Sequence, residues 1–236
     1  MEESKKTSSN EIQNPKSKIQ NPNGAFEKMD KMYRHQRYFY DLTRKYYLLG
    51  RDRLISEMKI SDRENVLEVG CGTARNLIIL AKKYPKANFF GLDASAEMLK
   101  TAQSKLDAKN LSNIFLKTAL ADDFKFDKTF DLAEKFDAIF FSYAVSIIPP
   151  WKESIENALE NLKAGKSLYI VDFYDQEELP RWFRRILKSW LAQFHVKYPK
   201  ELIPFVEDLE KKGVGKLKIT PLYKRYSLLA EFQKAI

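Results

Sequence analysis

The stretch Asn65–Tyr84, NVLEVGCGTARNLIILAKKY, reads as a strand, a glycine turn and a helix in direct succession. Val66, Leu67 and Val69 form a short apolar run suited to a buried strand. Gly70 and Gly72 allow a tight turn and close approach of a ligand to the backbone. The helix from Ala74 onward carries Leu77, Ile78, Leu80 and Ala81, and its N-terminus lies beside the turn. Such a loop serves dinucleotides and S-adenosylmethionine alike, so it fixes an α/β unit before it fixes a ligand.

Two carboxylates narrow the choice. Glu68 lies within the strand end, two residues before Gly70, where a pyrophosphate would be repelled and a cationic ligand favoured. The next strand, ANFFGLD, ends at Asp93, whose carboxylate at a strand tip can accept from ribose hydroxyls in either kind of site. The order EVGCGTA followed by GLDAS resembles the first two motifs of the class I S-adenosylmethionine-dependent methyltransferases. The resemblance implies S-adenosyl-L-methionine as cofactor, S-adenosyl-L-homocysteine as product, and Glu68, Gly70, Cys71, Gly72, Asp93, Ala94 and Met98 as cofactor contacts. The chain departs from the pattern at Ala74, which stands for the third glycine as one small residue for another.

Further strands are expected at 113–119, 136–143 and 167–174, with helices near 95–106 and 150–163 between them, and 217–223 and 226–233 as a closing antiparallel pair. The expected fold is α/β: a Rossmann-like, seven-stranded, mostly parallel sheet with helices on both faces and a helical cap before it. By the resemblance, the loop after strand three offers Ala121 and Asp122 to the adenine. The loop after strand four, SYAVSIIPPW, offers Ser142 and Tyr143 near the reactive methyl. The plain alternatives are a solvated Asp122 and a Tyr143 that packs under a helix.

With 236 residues and one cysteine, Cys71, the chain can bury a core but cannot form an internal disulfide. Residues 1–27 repeat IQNP in a polar setting and read as a flexible tail, residues 28–62 as the cap, and residues 63–236 as the catalytic domain. No secretory signal layout is expected in the tail, and no run of 18 apolar residues occurs. The net charge of +9 is uneven, with 9 basic and 5 acidic groups over 28–62 and 13 and 5 over 180–236, against 15 and 18 over 63–179. An anionic partner, lipid headgroup or nucleic acid, fits that distribution.

The stretch Arg34–Ile55, RHQRYFYDLTRKYYLLGRDRLI, mixes aromatic and basic residues. On a helix from Tyr33, residues Tyr33, Arg37, Tyr40 and Arg44 fall on one stripe, so Tyr40 and Arg44 could reach one ligand. Tyrosine faces attract a sulfonium by about 0.5 to 2 kcal/mol, and arginine offers a fork to a carboxylate. In the second basic segment, PRWFRRILKSWLAQF, helical rotation puts Trp182, Phe183, Ile186, Leu187, Trp190, Leu191 and Phe194 on one side. Arg181, Arg184, Arg185 and Lys188 fall on the other. This suits a helix at an anionic membrane surface, or equally one packed on the sheet, or a mixture with tryptophans at the rim.

These segments, with IIPPW and LYKRYSLLA, are similar to those of the methyltransferases of betaine-lipid synthesis, over about 33–231. The resemblance implies successive methylation of the amine of diacylglyceryl-homoserine, a partner enzyme that supplies that lipid, and a cytoplasmic, peripherally membrane-associated protein. Phosphatidylethanolamine N-methylation and quinone C-methylation are the alternative activities. A nucleic-acid acceptor fits less well, because neither an RNA-binding module nor a base-methylating NPPY tetrad is present. Candidates to take the acceptor's proton are Tyr40, Tyr143 and His195, with a plain surface histidine as the alternative for the last. No metal is expected, since no His, Cys, Asp or Glu cluster has ligand spacing.

Overall fold

A computed structural model describes residues 47–192 and 200–236, the side chains of 188, 191 and 192 excepted. The tail, the cap up to residue 46, and the candidates Tyr40, Arg44 and His195 therefore lie outside the described residues.

The chain alternates helix and strand: α1 (Arg51–Glu57), β1 (Asn65–Val69), α2 (Arg75–Lys83), β2 (Asn88–Asp93), α3 (Ala96–Asp107), β3 (Ile114–Thr118), α4 (Phe126–Phe130) and β4 (Phe136–Ser142). Then come α5 (Trp151–Glu160), β5 (Leu162–Phe173), α6 (Arg181–Ala192), α7 (Leu202–Lys211), β6 (Gly215–Leu222) and β7 (Ser227–Lys234). The strands form a seven-stranded sheet in the order β3-β2-β1-β4-β5-β7-β6, parallel from β3 to β5, with β7 antiparallel to both its neighbours. This is the Rossmann-like sheet with an antiparallel closing strand that the sequence leads one to expect.

Each central strand is buried on both faces, and its alternate side chains feed two separate cores. Val66, Phe89, Phe140 and Val171 point to one side, where they meet α1, α2 and α3 through Leu54, Leu77 and Leu99. Leu67, Phe90, Ile139 and Ile170 point to the other, against Ile155 of α5 and Val206 of α7. Leu48, Leu54, Ile55, Met58 and Ile60 all belong to the first core. The described part of the expected cap is thus built into the domain wall, because five apolar side chains within thirteen residues have nowhere else to be buried.

Two boundaries differ from the sequence reading by three residues or more. Helix α5 stops at Glu160, not Lys163, and β5 starts five residues early, at Leu162. Asn161 makes the break: its side chain accepts from Phe126 N at 2.9 Å and donates to Phe124 O at 3.2 Å, while Leu162 pairs with Phe136. Helices α4 and α7 had no forecast. Helix α4 has five residues, too few for a periodicity, and α7 has ten, in a stretch to which the sequence reading assigns no element.

Candidate active site

Parallel packing of β1 to β4 brings the ends of these strands, and the turns that follow them, to one edge of the sheet. There the glycine turn is fixed by backbone bonds: Gly70 N and Cys71 N donate to Leu92 O at 2.9 and 3.0 Å. Gly70 and Gly72 have φ of 73° and 53°, the left-handed region that glycine adopts without penalty. Ala74 adopts it too, with φ 60°. A third glycine at this position would therefore relieve backbone strain as well as save space, and the alanine carries a cost of about 1 kcal/mol.

Asp93 ties the turn to the next strand. Its Oδ2 accepts from Gly72 N at 2.8 Å and its Oδ1 from Ser95 N at 2.9 Å. A carboxylate has about four acceptor sites, so an aspartate at a strand tip can hold backbone amides and accept from a ribose diol together. Ser95 in turn caps α3, accepting from Met98 N at 3.3 Å, which fixes Ala94 and Met98 beside Asp93. Ala119 N donates to Asp93 O at 3.2 Å and brings the end of β3 to the same place. Two residues on, Ala121 is buried and Asp122 half-buried, and Asn157 donates to the Ala121 carbonyl at 3.2 Å.

Glu68 is buried beneath the turn. Asn76, at the start of α2, donates to its Oε1 at 2.7 Å, while Oε2 is buried with no hydrogen-bond partner. Burial pushes its carboxyl up to about 8, against the pull of Asn76, Arg51 and Arg75. An orphaned acidic oxygen beside a left-handed glycine turn, with a second carboxylate at the next strand tip, fits a ligand that joins a cation to a ribose. Cys71 does not join that chemistry as a nucleophile. Its thiol is buried and pushed well above the ordinary range, so it stays protonated.

The loop after β4 behaves differently from its forecast. Tyr143 is buried with φ 55°, its ring edge-on to Phe173 at 4.7 Å, and its hydroxyl donates to Leu49 O. Burial pushes the phenol well above its usual range, so it is no acceptor for an acceptor's proton. The alternative weighed from sequence, a packing role, is the one the geometry supports. With Tyr226, whose hydroxyl reaches Tyr47 O at 2.7 Å, it holds the chain that leaves the cap against the sheet. Tyr143→Phe is expected to destabilise the fold by about 1 to 2 kcal/mol through the unpaired carbonyl, while changing kcat less than threefold. Thermal melts and initial rates check this, and a loss of kcat without loss of Tm would restore Tyr143 as a base.

Ser142 ends β4, and its Oγ is buried without a partner. Sequence reasoning missed Asp172, at the end of β5. It is fully buried, accepts from Ser146 N at 3.0 Å and Phe173 N at 2.8 Å, and burial pushes it up to about 6. It holds the loop after β4 in place from below. The signal was present in VDF, an acid inside an otherwise apolar strand, as with Glu68. Gln176, three residues after β5, adds a buried Oε1 with no partner, and only its left-handed φ of 63° distinguishes it.

A parallel sheet with a glycine turn after β1 and a carboxylate at the tip of β2 is the arrangement of a nucleoside-binding α/β enzyme. Comparison with known proteins makes this particular. Residues 60–224 match the family described as "Methyltransferase domain". The demethylmenaquinone methyltransferase of Listeria welshimeri is 26% identical over 181 residues, 73% of this chain and 74% of the relative. That of Staphylococcus carnosus is 33% identical over 116 residues, 49% of this chain and 45% of the relative. Among solved structures, a SAM-dependent methyltransferase from Aquifex aeolicus superposes with a TM-score of 0.57 at 16% identity, covering 91% of this chain and 99% of that one. The methyltransferase SibL gives 0.63 at 16%, covering 84% of this chain and 58% of SibL. The chain belongs to the methyltransferase-domain family. It is a methyltransferase, and its cofactor is S-adenosylmethionine.

Proposed function

We propose that the protein methylates an acceptor carried in lipid, and that this acceptor is the ring of a demethylated menaquinone. The observation that carries this reading is the similarity over 73% of the chain to a demethylmenaquinone methyltransferase. When bound, S-adenosylmethionine supplies an electrophilic methyl, whose bond to sulfur breaks toward sulfur as the bond to the acceptor forms. The chain aligns the reactants and keeps water out. Glu68 and Asp93 hold the cationic and ribose ends beside the glycine turn, and the loop after β4, fixed by Asp172, faces the acceptor. The Oγ of Ser142 and Oε1 of Gln176 are buried polar atoms near the ends of β4 and β5, suited to an acceptor's hydroxyl. On this reading a quinol hydroxyl gives up its proton, the ring carbon gains the methyl and loses its hydrogen as a proton, and the oxygen is reprotonated, so one proton is released for each methyl transferred.

A second reading rests on the sequence resemblance alone. The segments Tyr40–Ile55, IIPPW and PRWFRR are those through which the sequence is similar to the methyltransferases of betaine-lipid synthesis. On that reading the acceptor is the neutral amine of diacylglyceryl-homoserine, which sheds a proton after each of the first two methyl gains and becomes a quaternary ammonium with the third, and a separate enzyme supplies the lipid. The test is labelled S-adenosylmethionine with demethylmenaquinol, diacylglyceryl-homoserine and phosphatidylethanolamine, each dispersed in detergent, and with RNA. Label in the quinol ring is expected. Label in either lipid amine instead replaces the first reading with the second, and label in RNA alone overturns both.

A further inference from the structure

The described residues include six large apolar side chains that are exposed, and four of them lie in one region. Trp182 is 68% exposed, Ile186 60% and Phe183 38% on α6, and Tyr223 is 55% exposed in the turn between β6 and β7. That turn adjoins the start of α6. Gln176 N donates to Arg225 O at 2.9 Å, Tyr174 N to Tyr226 O at 3.0 Å, and Leu179 N to Gln176 O at 3.1 Å just before the helix begins.

Among the described residues, only one side of α6 packs against the fold. Leu187 is buried, and Trp190 packs edge-on against Tyr47 at 4.7 Å. At 100° per residue, Trp182 and Ile186 lie 40° to 140° away from those two, on the solvent edge, and next to them come Arg185 and then Arg181. The packed side accounts for the helix staying on the domain. The exposed edge, apolar residues bordered by a basic arc, is not explained by folding.

We propose that this edge of α6, with Tyr223 and Lys224 beside it, docks the protein on an anionic lipid bilayer. Charge complementarity and side-chain type select that occupant. Arg181 and Arg185 are exposed and Arg184 half-exposed, while Arg225 does not count, because Asp175 accepts its Nε–H at 2.8 Å and its charge is paired. Glu177 and Glu178, exposed just before the helix, offset part of the charge, and the segment from Pro180 onward remains strongly basic, with 13 basic and 5 acidic groups. Tryptophan and isoleucine can enter the headgroup boundary while the arginines beside them reach lipid phosphates. No helix among the described residues is long and apolar enough to cross a membrane, which suits a surface that lies on one. Docking here sets the bilayer beside Tyr47, Tyr226 and the segment that Tyr143 anchors, so an acceptor dissolved in lipid has a short route to the loop after β4.

The inference rests on the reading that the acceptor is lipid-borne, and the experiment separates the two. The full chain is floated with phosphatidylcholine vesicles with and without phosphatidylglycerol, with tryptophan emission recorded, and methyl transfer is measured separately on acceptor in detergent. Binding to the anionic vesicles alone is expected, weakened by salt and accompanied by a blue shift that Trp182→Phe removes. Trp182→Ser with Ile186→Ser, and Arg181→Glu with Arg185→Glu, should each cut vesicle binding at least tenfold, while activity on detergent-dispersed acceptor stays within twofold. Wild-type protein that methylates the acceptor in detergent but does not float with anionic vesicles overturns the docking surface and leaves the activity standing. Equal flotation of wild type and both variants overturns it as well. Flotation as expected, with no methyl transfer to any lipid-borne acceptor, overturns the activity and leaves the surface.

Discussion

Glu68→Gln is expected to stabilise the ligand-free protein by about 2 to 3 kcal/mol at pH 7 while weakening S-adenosylmethionine binding by about a hundredfold. Burial lifts the carboxyl from its ordinary 4.5 to about 8, so between those values the folded chain holds a proton that the unfolded chain has lost. Stability therefore falls as pH rises through that window, by roughly 3 kcal/mol at pH 7, and the loss levels off above pH 8. The amide keeps the acceptor for Asn76 and removes the titration. Melting the two proteins from pH 5 to 9 should give curves that nearly coincide at pH 5 and separate steadily toward pH 8. Binding a cation beside this group favours its ionised form, so the wild type should release a proton on taking up the cofactor at pH 7. Calorimetry in buffers of different ionisation enthalpy reads that proton directly, and the variant should lack it. Parallel melting curves would show that Glu68 is ionised throughout and that the site is wetter than its burial implies.

Gly70→Val is expected to destabilise the fold by about 3 kcal/mol and to reduce methyl transfer at least a thousandfold. Two causes add. The φ of 73° is costly for any residue with a Cβ, by about 1 to 2 kcal/mol, and more for a β-branched one. A Cβ placed there would also lie 2.9 Å from the Cβ of Ala144, an atom with no rotamer to escape into. Since Ala144 is in the loop after β4, relief of the clash would displace both that loop and the glycine turn. Adding Ala144→Gly should recover about half of the lost stability, the steric part, and leave the backbone part. Complete recovery would show that the left-handed backbone costs nothing here, and no recovery would show that the two loops do not touch.

Much of this site was legible in the sequence because its parts are local. A strand, two glycines and a helix within twenty residues can be read in order, and Asp93 stands at the end of a strand whose apolar run is plain. What escaped was whatever depended on a distant partner. Tyr143 looked like a site residue because it follows β4, yet its phenol is committed to the carbonyl of Leu49, ninety-four positions away. Ala74 looked like a change of size, and the backbone shows it to be a change of conformational cost. Asp172 went unnoticed because an acid in a buried strand gains meaning only from the loop amide it meets.

The same division holds for the basic helix. Its amphipathic pattern followed from the sequence alone, since 100° per residue sorts the arginines from the aromatics whatever surrounds them. Which apolar residues would be covered did not follow, because a single helix can bury only the side that faces a neighbour. Tyr47 and the first core reach Leu187 and Trp190, and the geometry of that contact leaves Trp182 and Ile186 in solvent. The sequence by itself thus determined the sheet, the glycine turn and the pair of carboxylates, whose signals lie within one or two elements. Only the tertiary structure decided the burial of Glu68, the contacts of Tyr143 and the exposed edge of α6, because burial and pairing are set by residues far apart along the chain.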